Sequence, residues 1–193
     1  MPQRHSLYRR VTDDFYVEPD WVVDALFSSA QPFLFGRVHD PCAGFGTIVG
    51  VAQKHEFAAS GADIVDRADG RFPVCDFFSD AKIYSNIICN PPYKRAADLV
   101  AKALALNLPR GGKVAVLVPL GFLASGKRFG LFNRPELDEI LVLSRRPSLP
   151  PGELLMRAGE SCRHSGSTDF CWAIWRRGRD HEAARVGWIP PYG

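Results

Sequence analysis

The chain has 193 residues, 46% apolar and 23% charged, enough for one sizeable core and too little charge for a disordered chain. Its net charge of +3 does not by itself point to a polyanion partner, and Cys162, His164 and Cys171 lack ordinary zinc-ligand spacing, so no metal is expected. With no signal peptide and no apolar run near the roughly 20 residues of a membrane helix, the expectation is one domain over residues 1–193, in a reducing cytoplasm.

Residues 1–14 read as a polar, flexible N-terminus. Glu18-Pro19-Asp20 then opens a helix, because proline suits the first helical position and acids suit the N-terminal end of the dipole. Trp21, Val22, Ala25 and Leu26 share one face of that helix, and Pro32 stops it. Gly36 to Thr47 is a short strand running into Asp40-Pro41-Cys42-Ala43-Gly44-Phe45-Gly46, a glycine-rich turn ahead of a helix over 48–52. Gly44 and Gly46 permit close backbone approach, and the helix start offers N–H groups to a carboxylate or a phosphate. The third glycine of a dinucleotide fingerprint is missing, since Val49 occupies its place. Phe57 to Asp63 reads as a second strand of small residues ending in an acid. An acid there accepts ribose hydroxyls in nucleoside-binding α/β folds; Asp63 is the first choice and Asp66 the alternate. Val74-Cys75-Asp76-Phe77-Phe78 follows as a third strand-like run, with links too short for full helices on either side of it.

Ile87-Ile88-Cys89 is a buried strand that stops at Asn90-Pro91-Pro92-Tyr93. The prolines fix their own φ, push the preceding residues out of the helical region and leave carbonyls without local N–H partners. Asn90 adds a side-chain carbonyl. The result is a compact set of acceptors beside an aromatic face, suited to an amino group on a planar ring. A helix is expected from Ala96 to Leu108, a strand buried on both faces from Lys113 to Pro119, a short helix from Phe122 to Phe132, and strands over Leu137–Leu143 and Asp169–Trp175. Trp172 and Trp175 read as packing residues. Between the last two strands, Ser144 to Thr168 forms a long loop expected beside the mouth of the site. Its Arg145, Arg146, Arg157 and Arg163 are available to phosphates. Seven arginines stand against three acids between Ser144 and Arg179.

Asn-Pro-Pro-Tyr after an apolar strand resembles the catalytic signature of S-adenosylmethionine-dependent amino-methyltransferases, above all the DNA adenine-N6 methyltransferases. Asp-Pro-x-x-Gly-x-Gly resembles their methionine-binding loop, and Phe15-Tyr16-Val17-Glu18-Pro19 their N-terminal cofactor-contact motif. The resemblance implies a Rossmann-like α/β fold, with a mostly parallel sheet of about seven strands, one of them antiparallel, and trimmed helices. It implies S-adenosylmethionine as cofactor, with Asp40 at its amino group, the Gly44–Gly46 turn at its carboxylate, Asp63 at its ribose, and Asp76 and Phe77 at its adenine. Glu18 stands where the family often has threonine, so Tyr16 rather than Glu18 is the expected contact. Asn90 and Pro91 would accept the target amino group, with Pro92 and Tyr93 against its ring. The motif order matches adenine methyltransferases whose recognition domain comes last, and the expectation here is a catalytic domain without a separate one. An RNA-base or protein-glutamine methyltransferase shares the tetrapeptide. A non-catalytic partner subunit is the alternative from another class. The oligomeric state is not legible.

Overall fold

The computed structural model describes residues 14–29, 36–177 and 183–191. The flexible N-terminus expected over residues 1–14 lies outside them, apart from Asp14, which is buried. The Pro32 helix stop lies outside them too.

Helix α1 (Asp20–Ser29) precedes β1 (Val38–Asp40), α2 (Thr47–Lys54), β2 (Ala59–Gly61) and β3 (Asn86–Cys89). Then come α3 (Ala96–Asn107), β4 (Lys113–Pro119), α4 (Phe129–Phe132), β5 (Leu137–Leu143), α5 (Gly152–Ala158), β6 (Phe170–Trp175) and β7 (Arg185–Ile189). The strands form one seven-stranded sheet in the order β2-β1-β3-β4-β6-β5-β7. Pairing is parallel except around β6, which runs antiparallel to both β4 and β5. The doubly wound sheet with one reversed strand is therefore as the sequence leads one to expect.

Its membership differs from that expectation at both edges. The Val74 segment contributes only an isolated parallel bridge to Asp63. Pro73 lacks a donor, and the Asp76 carboxylate accepts the Phe78 N–H at 2.9 Å, turning the chain away. The seventh strand is instead β7, paired in parallel with β5. Only Ile189 of β7 is buried, and Val186 and Trp188 are exposed. The helix expected over Phe122–Phe132 is broken into two 3-10 turns and the four residues of α4, as glycines at 126 and 130 favour.

The sheet separates two apolar layers. On one side α1 and α2 pack Val22, Leu26 and Ile48 against Val38, Ile88, Leu117 and Trp172. On the other α3 packs Leu99, Val100 and Ala103 against Ile87, Val114 and Trp175. Both tryptophans are fully buried, and their indole N–H groups donate to the Val22 and Leu131 carbonyls at 3.0 and 2.9 Å. They are packing residues with their polar atoms satisfied. Among the described residues no helix is long and apolar enough to cross a membrane, and no His, Cys, Asp and Glu group is arranged to hold a metal ion.

Candidate functional site

β1 has β2 on one side and β3 on the other, so the chain's direction of winding switches between β1 and β3. A crevice outside the carboxyl ends of strands at such a point is where open α/β sheets bind ligands. Here a cavity of about 390 Å³ opens there. Its walls come from the segment Asp14–Glu18, the turn after β1, the stretches around Asp63 and Asp76, and the turn after β3.

The turn after β1 is built by two glycines at positive φ, Gly44 at 52° and Gly46 at 87°. Gly46 caps α2. A Cβ on Gly44 would lie 2.6 Å from the Phe15 ring, and one on Gly46 2.7 Å from Phe72, so only glycine fits. Gly44 and Thr47 line the cavity and Gly46 lies behind them. Asp40 does not line the wall either. It is buried, accepts the Cys42 N–H at 3.0 Å, and among the described residues pairs with no cation. Burial holds its carboxyl well above the ordinary range, and the nearby Glu18 and Asp63 carboxylates push the same way.

Asp63 lines the cavity, and its two oxygens accept the N–H groups of Gly44 at 2.8 Å and Val65 at 3.1 Å. It therefore locks the glycine turn to the end of β2. Asp66 is exposed, accepts the Ala68 and Gly70 N–H groups of its own loop and does not line this wall. Asp76 and Phe77 line the far side.

Asn90 lines the cavity at the end of β3. Its Nδ2 donates to the Tyr16 carbonyl at 2.9 Å and to Glu18 Oε2 at 2.8 Å. Its Oδ1 is buried with no partner among the described residues, a costly state for a carbonyl unless something else uses it. Pro92 also lines the wall; Pro91 is buried behind it. Burial raises the Glu18 carboxyl, and the Asn90 N–H works against that rise.

Several expected contacts are placed differently. The Tyr93 ring does not line the cavity. It packs on the core, stacked on Tyr16 at 6.0 Å and 16° and tilted on Phe170 at 6.1 Å. Tyr16 itself does line the wall, above Tyr93. Of the loop arginines, Arg163 turns inward and donates to the Val17 and Ser148 carbonyls at 2.9 Å each, and to Glu160 at 2.7 Å. Arg146 pairs with Asp169 at 2.6 Å, and Arg145 lies 5.1 Å from the Trp21 ring centre. Arg157, in the last turn of α5, is exposed. The loop is thus a brace. Val17 N–H donates to Pro150 O and Gly152 N–H to Phe15 O, at 2.9 and 3.1 Å, so it clamps the N-terminal segment over the cavity.

Arg67, Lys94 and Arg95 are wall residues that the sequence does not single out. Phe15 lies between Arg67, 4.3 Å above its ring centre, and the edge of Phe45 at 5.0 Å. Lys94 and Arg95 are exposed at the mouth, Arg95 resting 3.9 Å over Phe78. The signal for these two was position alone, directly after Tyr93. Nothing local marks Arg67.

No protein-family profile and no curated protein matches the chain. Solved structures do match in fold. The M protein of the type I restriction enzyme EcoKI superposes with a TM-score of 0.62 at 14% identity, over 94% of this chain and 50% of its own. A Vibrio vulnificus YJ016 protein described as a modification subunit of a type I restriction enzyme gives 0.59 at 16%, over 92% and 48%. A Listeria monocytogenes protein described as a class I S-adenosylmethionine-dependent methyltransferase gives 0.60 at 12%, over 96% and 69%. The chain spans about half the length of the two type I restriction-enzyme proteins. It has the Rossmann-like fold of class I methyltransferases.

Proposed function

We propose that the chain is an S-adenosylmethionine-dependent methyltransferase acting on an exocyclic amino group, with adenine N6 in DNA as the substrate. The observation that carries this reading is the Asn90 carboxamide, whose donors are both engaged by protein while Oδ1 is left unpartnered in a cavity-lining residue. Two of the structures sharing the fold are, by their descriptions, a modification subunit and an M protein of type I restriction enzymes, which favours DNA.

The residues present fit the cofactor. The tight turn at Gly44 and Gly46 leaves no room for a Cβ, and the start of α2 that follows it suits a carboxylate. Asp40, a buried acid at the end of β1, suits an ammonium group from behind the wall. Asp63 faces the wall where ribose hydroxyls would sit, and Asp76 and Phe77 suit an adenine amino group and ring face. Bound there, S-adenosylmethionine supplies a methyl group on a sulfonium whose departing thioether is neutral. The protein's own work is positioning. A ring amine is a poor nucleophile because its lone pair is delocalised. Oδ1 of Asn90 and the Pro91 carbonyl accept its N–H bonds, draw the nitrogen towards tetrahedral geometry and localise the lone pair. In a duplex the base must first be extruded. Pro92 meets it in the cavity, and Tyr93 acts from beneath, by holding Tyr16.

Lys94 and Arg95 take the phosphate role because both are exposed and line the mouth of the cavity, which none of the four loop arginines does. Replacing both by alanine should reduce the slope of log affinity for DNA against log salt by about 2, from about 0.9 per lost phosphate contact. An unchanged slope would move the backbone contacts away from the mouth. Asp63→Ala should weaken cofactor binding, measured by calorimetry, by about tenfold or more, the loss of a charged acceptor. Asp66→Ala should leave it unchanged; the reverse pattern would reassign the ribose acid.

The reading is tested by incubating the protein with methyl-labelled S-adenosylmethionine and DNA, RNA or a release-factor protein. Label on DNA adenine is the expected result. Label on RNA or on glutamine replaces the substrate, and bound cofactor with no transfer to any acceptor replaces the enzyme by a partner subunit.

A further inference from the structure

We propose that Glu18 is a positioning residue that decides which end of the Asn90 carboxamide faces the cavity. This rests on the reading of Asn90 as the acceptor for the target amine. A carboxamide at the end of a short side chain turns about a soft, roughly two-fold torsion. Turned one way it offers an acceptor to an incoming amino group; turned the other it offers N–H bonds that repel it. The choice therefore has to be made by whatever holds the amide from behind.

Two acceptors do so here. Asn90 Nδ2 has two N–H bonds, and they go to the Tyr16 carbonyl at 2.9 Å and Glu18 Oε2 at 2.8 Å. An inverted amide would set Oδ1 against a carbonyl and a carboxylate together. The Tyr16 carbonyl alone prefers the observed orientation, and Glu18 adds the charge-assisted bond, the stronger kind. Glu18 is itself fixed. It is 7% exposed. Arg163 binds the Val17 carbonyl before it at 2.9 Å and approaches its own carbonyl at 3.5 Å. The brace at Pro150 holds the segment in line. A buried carboxylate next to Asp40 is unfavourable to keep, and orienting Asn90 is a use that offsets this.

The test uses the full chain and the variants Glu18→Gln, Glu18→Asp and Glu18→Ala. Gln keeps an acceptor oxygen at the same reach, Asp keeps the charge but withdraws it by one methylene, and Ala removes both. One readout needs no turnover: the side-chain amide signal of Asn90 in nitrogen-15 spectra, identified by its loss in Asn90→Ala. Its N–H exchange with solvent should be slow in the wild type and in Glu18→Gln, and about tenfold faster or more in Glu18→Asp and Glu18→Ala. The other readout is kinetic. In Glu18→Asp and Glu18→Ala kcat should fall about tenfold or more with cofactor affinity within about threefold of wild type, and Glu18→Gln should restore it. If Glu18→Ala does not fold, Glu18→Asp carries both comparisons. Wild-type exchange and kcat in Glu18→Asp would overturn the inference, as would a Glu18→Gln that fails to restore them. If the wild type transfers no methyl at all, the enzyme reading fails while the exchange measurement still decides the orientation.

Discussion

Asn90→Ala should lower methyl transfer by about 100- to 1,000-fold, the cost of removing one preorganised electrostatic contact from a transition state. Cofactor affinity should stay within a few-fold. The two outcomes separate because Asn90 sits at the end of β3, while the glycine turn, Asp63 and Asp76 belong to other segments of the wall. The substitution removes the acceptor and also strands the Tyr16 carbonyl and Glu18 carboxylate that Nδ2 now binds. Some loss of stability is therefore expected, and thermal unfolding should be measured beside turnover. Asn90→Asp should be no better. It would set a carboxylate against Glu18 and the Tyr16 carbonyl, with no donor to either. Full transfer by Asn90→Ala, assayed with labelled cofactor, would remove Asn90 from the chemistry.

Gly152→Ala should damage the site from outside the cavity. A Cβ at Gly152 would overlap the Phe15 ring, and the ring cannot retreat, because Gly44 lies against it on the other side. Arg67 covers one face of that ring and Phe45 meets it edge to face. The methyl group must therefore lift the segment Asp14–Glu18 away from its bond between Gly152 N–H and Phe15 O. Overpacking of this kind costs about 1–3 kcal/mol. Because the lifted segment carries Tyr16, which lines the cavity, and Glu18, which holds Asn90, both cofactor affinity and kcat should fall, each by about 5- to 150-fold at that cost. Calorimetry and turnover on the same preparation check this. Unchanged values would mean that the segment does not need its brace.

The parts legible in the sequence are those whose cause is local. Gly44 and Gly46 announce a turn because their backbone angles exclude other residues. Asn90-Pro91-Pro92 announces a strand end because proline withholds donors. Buried β3, β4 and β6 are continuous apolar runs, and their order fixes the sheet between β1 and β6. The edges were not legible for the opposite reason. β7 buries little beyond Ile189, so its pattern carries no periodic signal. The Val74 run looks like a strand but stops at a single bridge, where Pro73 and the Asp76 turn act together.

The site shows the same division. Asp63 reaches the wall just past the end of β2, and Asp76 just past the single bridge at Val74. The arginines of the 144–168 loop do not behave as their composition suggests, because charge alone does not reveal the partner. Arg163 is bound by carbonyls that lie as far away in sequence as Val17. Tyr93 turns to the core because Tyr16 and Phe170, both remote in the chain, form its stack. Glu18 departs from the usual residue of the motif it sits in, and only its distance to Asn90 suggests a purpose.

Whether the Gly44–Gly46 turn and Asn90 meet across one bound cofactor is decided by a crystal structure of the protein with S-adenosylmethionine. The expected result is the methionine end over the Gly44–Gly46 turn, with the transferable methyl carbon within about 5 Å of Asn90 Oδ1. That distance combines an attack approach of about 3 Å with a hydrogen bond of about 3 Å at an angle. A cofactor seated elsewhere, or bound with its methyl directed away from Asn90, would contradict it.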